Sequence, residues 1–200
     1  MKPTRADSSA RSHLRLTSAP DEPPPPTLEV GDFVVYASHG IGCVEATRAA
    51  PGDLTDTVVL VFENGLRVTF PVARARGALR ALACDDELEA VRQTLQADPS
   101  PRMEPWTRHF RSLREKVTSG GVIGLAEVVR NGLHRERHLA VGSGGRVVAA
   151  TGERSLYLQA RKLLGAEIAH VREIAAAEAD LWIVEQIDQH SSAGESPKAL

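Results

Sequence analysis

The stretch "DTVVLVFENGLRVTFPV", residues 56–72, decides the fold of the first half of the chain. Two runs rich in β-branched and aromatic residues flank Asn64-Gly65, a dipeptide that favours positive φ at both turn centres and predicts a β-hairpin. The second run alternates apolar with polar residues, so one set of side chains is predicted to face a core and the other to face out. The inward set is Leu66, Val68 and Phe70, and the outward set is Arg67 and Thr69.

The sequence around this hairpin extends the β pattern. Residues 30–47, "VGDFVVYASHGIGCVEAT", are β-branched and aromatic, and Gly40 and Gly42 interrupt them. We therefore predict a small antiparallel sheet over residues 28–83, as a five-stranded, barrel-like module. A sheet this small must curl or pack on another element to protect its edges.

From Cys84 onward the apolar periodicity becomes helical, and the predicted fold class is α+β. We predict a helical bundle of four or five helices over residues 84–190, joined to the β module near Ala83. The predicted helices cover 85–98, a segment from about Pro105 to Ser119, 122–137, 152–171 with Thr151 as its cap, and roughly 171–188. Residues 1–27, ending in "DEPPPPT", predict a disordered proline-rich leader, residues 139–150 a glycine-rich flexible connection, and residues 191–200 a disordered tail.

Composition excludes several classes of protein. The formal net charge is -2, but residues 99–138 hold eight Lys/Arg against four Asp/Glu, and residues 84–98 hold one against five. A local basic face suits contact with a polyanion, although a solvated helix face has the same composition. Two cysteines without CxxC spacing and scattered histidines predict no metal site, cofactor or disulfide. No signal peptide or membrane span is predicted, so the expected location is the cytoplasm.

Catalysis is not predicted either. His39 and Cys43 lie close together in the sequence, but nothing supplies the orienting group or oxyanion site that a Cys–His nucleophile needs. We expect no catalytic residues and no small-molecule substrate. A tandem of β module and helical bundle fits an adaptor that holds two partners together.

Trp106 stands at an unusual place, in "MEPWTRHFRS", residues 103–112. It is one of only two tryptophans, and it follows a proline at the predicted start of a helix, just ahead of several basic side chains. A tryptophan here can pack on the domain core, with its polar edge in water, or it can contact a partner. By contrast, Trp182 lies in an apolar run and is predicted to be a core residue.

Taken in order, these motifs resemble the CarD/CdnL family of bacterial RNA polymerase-binding transcription regulators. The N-terminal part is similar in "VGDFVVYASHGIGCVEAT" and "VFENGLRVTFPV", and the first of these is shared with transcription-repair coupling factors. The helical part is similar in "WTRHFRSLREKVTSG", "LAEVVRNG" and "TGERSLYLQARKLLGAEIA". The resemblance covers roughly residues 28–176.

The resemblance implies a Tudor-like barrel that docks on the β-subunit lobe of RNA polymerase and a helical domain that contacts promoter DNA at the upstream edge of the −10 region. Such proteins stabilise the open complex with little sequence specificity. Trp106 would be the wedge at the fork where the strands part, with Arg108, His109 and Arg111 as its DNA-binding neighbours. Arg48, Arg67 and Thr69 are the implied polymerase-binding residues.

Some features depart from the family pattern. The family's usual basic position on the hairpin strand falls at Thr69, and its loop arginine falls near Ala50. Gly132 stands where a bulkier helix residue is usual, at a cost of about 1 kcal/mol in helix propensity relative to Ala. These departures leave an alternative open, an adaptor that binds RNA polymerase or another partner without contacting DNA.

Overall fold

Strands fill the first part of the chain and helices the second in the computed structural model, which describes residues 28–37, 39–49, 56–99, 105–142 and 151–193. The strands are β1 (Phe33–Tyr36), β2 (Gly40–Arg48), β3 (Thr57–Phe62), β4 (Arg67–Pro71) and β5 (Leu79–Arg80). The helices are α1 (Val72–Ala78), α2 (Asp85–Gln96), α3 (Trp106–Ser119), α4 (Val122–Gly142), α5 (Thr151–Val171) and α6 (Ala176–Ala193). The predicted leader lies outside the described residues.

The five strands form one antiparallel sheet in the order β4-β3-β2-β1-β5. Because β4 and β5 end the order without pairing with each other, the curled sheet is a half-barrel, and the predicted five-stranded barrel-like module is confirmed. Alternation along the strands buries one face of the sheet. The strand residues of the hydrophobic cluster on this face are Val34, Val44, Val58, Leu60, Phe62, Phe70 and Leu79. Val35 is also buried, but it points to the other face.

The predicted hairpin forms, but its turn differs from the expected one. The amide of Gly65 donates to the carbonyl of Phe62 (2.9 Å), and the amide of Phe62 donates to the carbonyl of Leu66 (3.0 Å). Gly65 has φ +77°, whereas Glu173 is the only described non-glycine residue with positive φ, so Asn64 does not adopt it. The loop is therefore a three-residue turn whose last residue is left-handed, and the prediction of positive φ at both centres was wrong.

This loop also explains why the prediction that Leu66 faces the core was wrong. The strand β4 begins at Arg67, so Leu66 belongs to the turn and is 37% exposed instead of facing the core. Phe70 is buried and Val68 packs against the core, as predicted, whereas Arg67 and Thr69 are exposed. The short helix α1, inserted between β4 and β5, was not predicted, because the predicted sheet spans its sequence, "VARARGA".

The helices α2 to α6 enclose a second hydrophobic cluster. The predicted apolar stripe of α5 is confirmed, since Ala160, Leu164 and Ile168 are buried and Leu156 and Leu163 pack against the cluster. The prediction that Trp182 packs in the core is confirmed as well: it packs against this cluster, and the guanidinium of Arg172 lies 4.1 Å from its ring centroid.

Three predicted helix boundaries were wrong. The last helix continues to Ala193, so residues 191–193 belong to it and not to the predicted disordered tail. Residues 139–142, assigned to the flexible connection, continue α4, and the rest of that connection lies outside the described residues. The last helix begins at Ala176 rather than near 171, because α5 ends in a Schellman motif at Glu173, whose φ is +54°. There Ile174 donates to the carbonyl of Ala169 (3.0 Å) and Glu173 to that of His170 (3.3 Å).

The sheet and the helices are joined by a buried ion pair between Arg80 of β5 and Glu167 of α5. The guanidinium donates to both carboxylate oxygens at 2.5 and 2.6 Å and also to the carbonyl of Gly120, at 2.9 and 2.7 Å. The same carboxylate accepts the amide of Ala83 (3.0 Å). Each of these groups thereby has a partner in a place where an unpaired charge would be costly.

Close backbone contact accompanies this ion pair. Gly120 ends α3 with φ +67°, and a Cβ there would lie 2.7 Å from Cα of Ala37 in the sheet domain. Phe33 contacts His170 of α5, with ring centroids 4.3 Å apart. The helical domain therefore packs directly against the sheet, which sets the geometry between the two candidate surfaces in this structure.

Gly132, which departs from the family pattern, is explained by packing. A Cβ at this position in α4 would lie 2.3 Å from Cδ2 and 2.6 Å from Cγ of Tyr157 in α5. Tyr157 is 3% exposed, and its hydroxyl accepts a hydrogen bond from Arg161 (3.0 Å), which also pairs with Asp180. Burial raises the pKa of Tyr157, so the hydroxyl stays neutral at physiological pH.

We expect Gly132→Ala to destabilise the protein by about 1–2 kcal/mol, because overpacking against the fixed Tyr157 ring costs about 1–3 kcal/mol and outweighs the gain in helix propensity. Gly77→Ala is the matched control, since Gly77 lies in α1 and a Cβ at that position would meet no neighbouring atom within 4 Å. That variant should be neutral or more stable by up to about 1 kcal/mol. Urea unfolding of both variants checks the prediction, and equal midpoints would contradict it.

Candidate nucleic-acid interface

Trp106 is the first residue of α3 and remains 38% exposed. Pro105 precedes it as the N-cap, with φ -56° and ψ 145°, so the chain turns into the helix directly at the tryptophan. Its indole lies against Phe110, one turn further along, with ring centroids 5.6 Å apart. The side chain therefore packs on a neighbouring ring and stays partly exposed, rather than being enclosed by the core.

Arg108 and Arg111 are both exposed on α3. Neither forms an ion pair with any residue in the part of the chain that the structure describes. At 3.6 residues per turn they lie about 200° and about 140° around the helix from Trp106. The helix thus places the two arginines together on its solvent side, while the Trp106 ring leans toward the side that holds Phe110.

His109 lies apart from the two arginines and points toward α5. Its Nε2 is 3.4 Å from a carboxylate oxygen of Glu153, and its side chain is 19% exposed. Glu153 also pairs with Arg135 of α4. This arrangement ties the first turn of α3 to the first turn of α5, and it makes His109 a group that holds the helix start in place.

The sequence patterns did not identify two residues that lie beside Trp106. Phe110 supports the indole, and Gly152 in the first turn of α5 lies so close to Phe110 that a Cβ there would be 3.0 Å from Cε2 of the ring. The spacing of Trp106 and Phe110 at i and i+4 signals contact on a helix, and it could have identified the pair. Nothing in the sequence indicates that Gly152 is the residue beneath it.

The three residues predicted to bind polymerase lie on one face of the sheet. Arg48 is opposite Thr57, Arg67 is opposite Val61, and Thr69 is opposite Val59, so all three share the side of β3 that points away from the core. We call this surface the outer sheet face; it comprises Arg48, Thr57, Val59, Val61, Arg67 and Thr69. It combines half-buried apolar side chains with exposed polar ones.

Arg67 is paired within this face. It donates to Glu45 of β2 at 2.5 Å, and its side chain remains 67% exposed. Such an exposed pair contributes less than about 1 kcal/mol to stability, so the guanidinium can exchange this carboxylate for another at little cost. Beside it, β4 is an edge strand, and an edge strand can add a strand from a partner.

Two family models match the chain, and they do so in consecutive segments. Residues 28–83 match the CarD-like/TRCF RID domain, and residues 90–184 match the CarD C-terminal domain. A domain of the first kind interacts with RNA polymerase, and joined to the second it defines a class of transcription regulators. The chain belongs to the CarD family, which confirms the resemblance stated from the sequence.

One curated relative is "Putative transcription factor YdeB" of Bacillus subtilis (strain 168). It is 22% identical over 120 residues, which is 58% of this chain and 78% of that protein. Among the helices that the structure describes, none has the length and apolar character of a membrane span. Within the same residues, no group of three or more His, Cys, Asp or Glu side chains could hold a metal ion.

Proposed function

We propose that this protein docks on the β-subunit lobe of bacterial RNA polymerase and stabilises the promoter open complex with Trp106 as a wedge. The outer sheet face, with Arg48, Arg67 and Thr69, is the polymerase-binding surface. The start of α3 contacts DNA at the upstream edge of the −10 region. The observation that carries the proposal is the 38% exposure of Trp106 at a helix start, in a chain with an RNA polymerase-interacting domain.

The energetics of strand separation support a wedge of this kind. Opening a base step costs a few kcal/mol, and an apolar side chain that occupies the gap slows the return to the duplex. Stacking of an aromatic ring on a base contributes about 1–3 kcal/mol. Even about 1.4 kcal/mol shifts the balance between open and closed complexes about tenfold.

Arg108 and Arg111 supply phosphate contacts in this proposal. Both guanidinium groups are exposed on the solvent side of α3, and long arginine side chains at the start of a helix reach backbone phosphates on either side of a groove. Phosphate contacts fix the position of a protein on DNA without reading sequence, in keeping with action at many promoters. His109 holds the helix start through Glu153 and is the member of the set least available to DNA.

The two surfaces act together because the domains are held in one orientation. Polymerase bound at the outer sheet face brings α3 to the DNA at a high effective concentration, so each contact can be weak on its own. The protein then acts as a non-enzymatic regulator in the bacterial cytoplasm, at the nucleoid, through polymerase. It needs no cofactor and no small-molecule substrate for this role.

Co-purification with RNA polymerase, followed by a promoter-opening assay, tests the proposal. The purified chain should bind polymerase holoenzyme and lengthen the lifetime of an open complex challenged with heparin. Binding without any change in lifetime would retain the docking function and remove the DNA function. Failure to bind would remove both.

Arg67→Glu is expected to weaken binding to the isolated polymerase β lobe about tenfold, because it reverses the charge of an exposed side chain in the outer sheet face and places it beside Glu45. Arg74→Glu is the matched control, since Arg74 is exposed on α1, outside that face. A pull-down and a titration against the β lobe measure both variants. Equal affinity of the two variants would remove Arg67 from the docking surface.

One observation favours the alternative, an adaptor that binds polymerase or another partner without contacting DNA. Arg108 and Arg111 lie on the side of α3 away from the Trp106 ring, so wedge and cations do not form one contiguous patch on the isolated protein. Under this alternative Trp106 only supports local packing on Phe110. The open-complex lifetime of Trp106→Ala separates the two functions.

A further inference from the structure

The geometry points to Phe110, seated on Gly152, as the positioning residue that holds the Trp106 indole ready for DNA. This inference rests on the proposed function and adds to it the part of the protein that aims the wedge. A tryptophan at the first position of a helix has no preceding turn to pack against, so its orientation must come from elsewhere. Here it comes from the aromatic ring one turn later and from the helix beneath that ring.

The contact between the two rings is the first part of the support. The centroids of Trp106 and Phe110 are 5.6 Å apart, with an angle of 31° between the ring planes. This distance lies within the range of favourable aromatic pairs, which restrict one another's orientation. Phe110 lies against the indole, and 38% of the Trp106 surface remains exposed for contact with a partner.

The packing of Phe110 on Gly152 is the second part of the support. A Cβ on Gly152 would lie 3.0 Å from Cε2 and 3.2 Å from Cζ of the Phe110 ring, so the ring rests directly on the backbone of α5. Any larger residue at 152 would push the ring outward, and the indole with it. Gly152 is the second residue of α5, where a glycine costs little helix stability. The close approach of the Phe110 ring explains why a glycine stands at this position.

A second link fixes the same two helix starts against each other. His109 and Phe110 are adjacent on α3, and they contact Glu153 and Gly152, which are adjacent on α5. Glu153 is further held by Arg135 of α4. Because three helices meet at this point, the first turn of α3 is held against fraying, and the indole is ordered before DNA arrives. Ordering a wedge in advance lowers the entropic cost of binding.

The test uses full-length protein in which Trp182→Phe leaves Trp106 as the only tryptophan. Phe110→Leu removes the supporting ring while keeping an apolar side chain, and Gly152→Ala adds the crowding Cβ. Gly124→Ala is the matched control, because a Cβ near the start of α4 would meet only Lys116 at an ordinary 3.5 Å. The measurements are acrylamide quenching of Trp106 fluorescence, polymerase affinity and the lifetime of the heparin-challenged open complex, all well below the melting temperature of each variant.

We expect Phe110→Leu and Gly152→Ala to change the quenching of Trp106 and to shorten the protein-dependent open-complex lifetime by about two- to tenfold, the range that loss of an aromatic pair predicts. Polymerase affinity should be unchanged, and Gly124→Ala should match the parent in all three measurements. Quenching or lifetime that stays at the parent's value in both variants would overturn the inference. Trp106→Ala in the natural background serves as the reference for the proposed function.

The outcomes separate the inference from the function on which it rests. If Trp106→Ala shortens the lifetime but neither Phe110→Leu nor Gly152→Ala does, the wedge stands and positioning by Phe110 is wrong. If Trp106→Ala leaves the lifetime unchanged, the wedge function is wrong, whatever the quenching of Trp106 shows about its support.

Discussion

Replacement of Trp106 by alanine is expected to shorten the lifetime of the promoter open complex about tenfold while affinity for RNA polymerase stays unchanged. The expected loss, about 1.4 kcal/mol, lies within the range of about 1–3 kcal/mol for an aromatic ring stacked on a base. Trp106 is 38% exposed on α3, whereas the proposed docking residues lie on β2 and β4, so its removal is expected to leave them intact. Heparin challenge of preformed complexes measures the lifetime.

Leu181→Ala provides the control for the loss of an exposed apolar side chain. Leu181 is 61% exposed on α6, in the same domain as Trp106 but on another helix. That variant should retain the full lifetime. If Trp106→Ala also retained it, with normal polymerase binding and normal thermal stability, the adaptor that does not contact DNA would be the better description of this protein.

Glu167→Ala should have the largest effect on stability, lowering the free energy of unfolding by about 3 kcal/mol. Removal of one partner of a buried ion pair costs about 3–5 kcal/mol because the other charge is left without compensation. The Glu167 side chain is 2% exposed, whereas that of Arg80 is 26% exposed and keeps some access to water. This access places the expected effect at the lower end of the range.

Denaturant unfolding of Glu167→Ala beside Glu45→Ala checks this prediction. Glu45 also pairs with an arginine at 2.5 Å, but its side chain is 40% exposed, so its loss should cost less than about 1 kcal/mol. Similar effects of the two substitutions would contradict the structural role assigned to the buried pair. A loss of stability without any loss of polymerase binding would show that the sheet keeps its own fold when the contact is broken.

The sheet could be predicted from local sequence because each strand carries its own alternation. The hairpin of residues 56–72 formed where Asn64-Gly65 predicted it, although the turn took three residues instead of two. The apolar stripe of α5 was predictable for the same reason, since periodicity depends on the segment alone. The change from β alternation to helical periodicity at Cys84 supplied the order of the two domains.

Other features depend on contacts between distant segments and were not predictable. The end of α5 is set by a glutamate at a left-handed position usually held by glycine, so Glu173 gave no sign of a boundary. Gly132 looked like a cost in helix propensity, whereas the Tyr157 ring occupies the space where a Cβ would stand. Arg80 and Glu167 are far apart in the sequence, and neither stands in a recognisable motif.

The candidate site, too, could be predicted only in part from the sequence. The position of Trp106 after Pro105 was sufficient to predict a helix start. It left open whether the indole packs on the domain core or contacts a partner, and only the family resemblance favoured the contact. Sequence grouped Arg108, His109 and Arg111 with it, but the helix turns His109 toward Glu153 and the arginines toward solvent. The i and i+4 spacing could have identified Phe110 as the neighbour of the indole, whereas the role of Gly152 followed only from the packing of α3 on α5.

The Arg80–Glu167 pair also limits how members of this family can be recombined. Arg80 belongs to the sheet, whereas Glu167 and Gly120 belong to the helices. Consider a chimera that joins the first 83 residues of this chain to the helices of a relative. The helices of the relative must then provide acceptors for the Arg80 guanidinium, and they must leave room for Ala37. If those helices have no carboxylate in the place of Glu167, we expect a contact that orients the two domains to be lost. Compatibility between halves thus depends on this residue pair and on the space at Ala37, in addition to the choice of a crossover point.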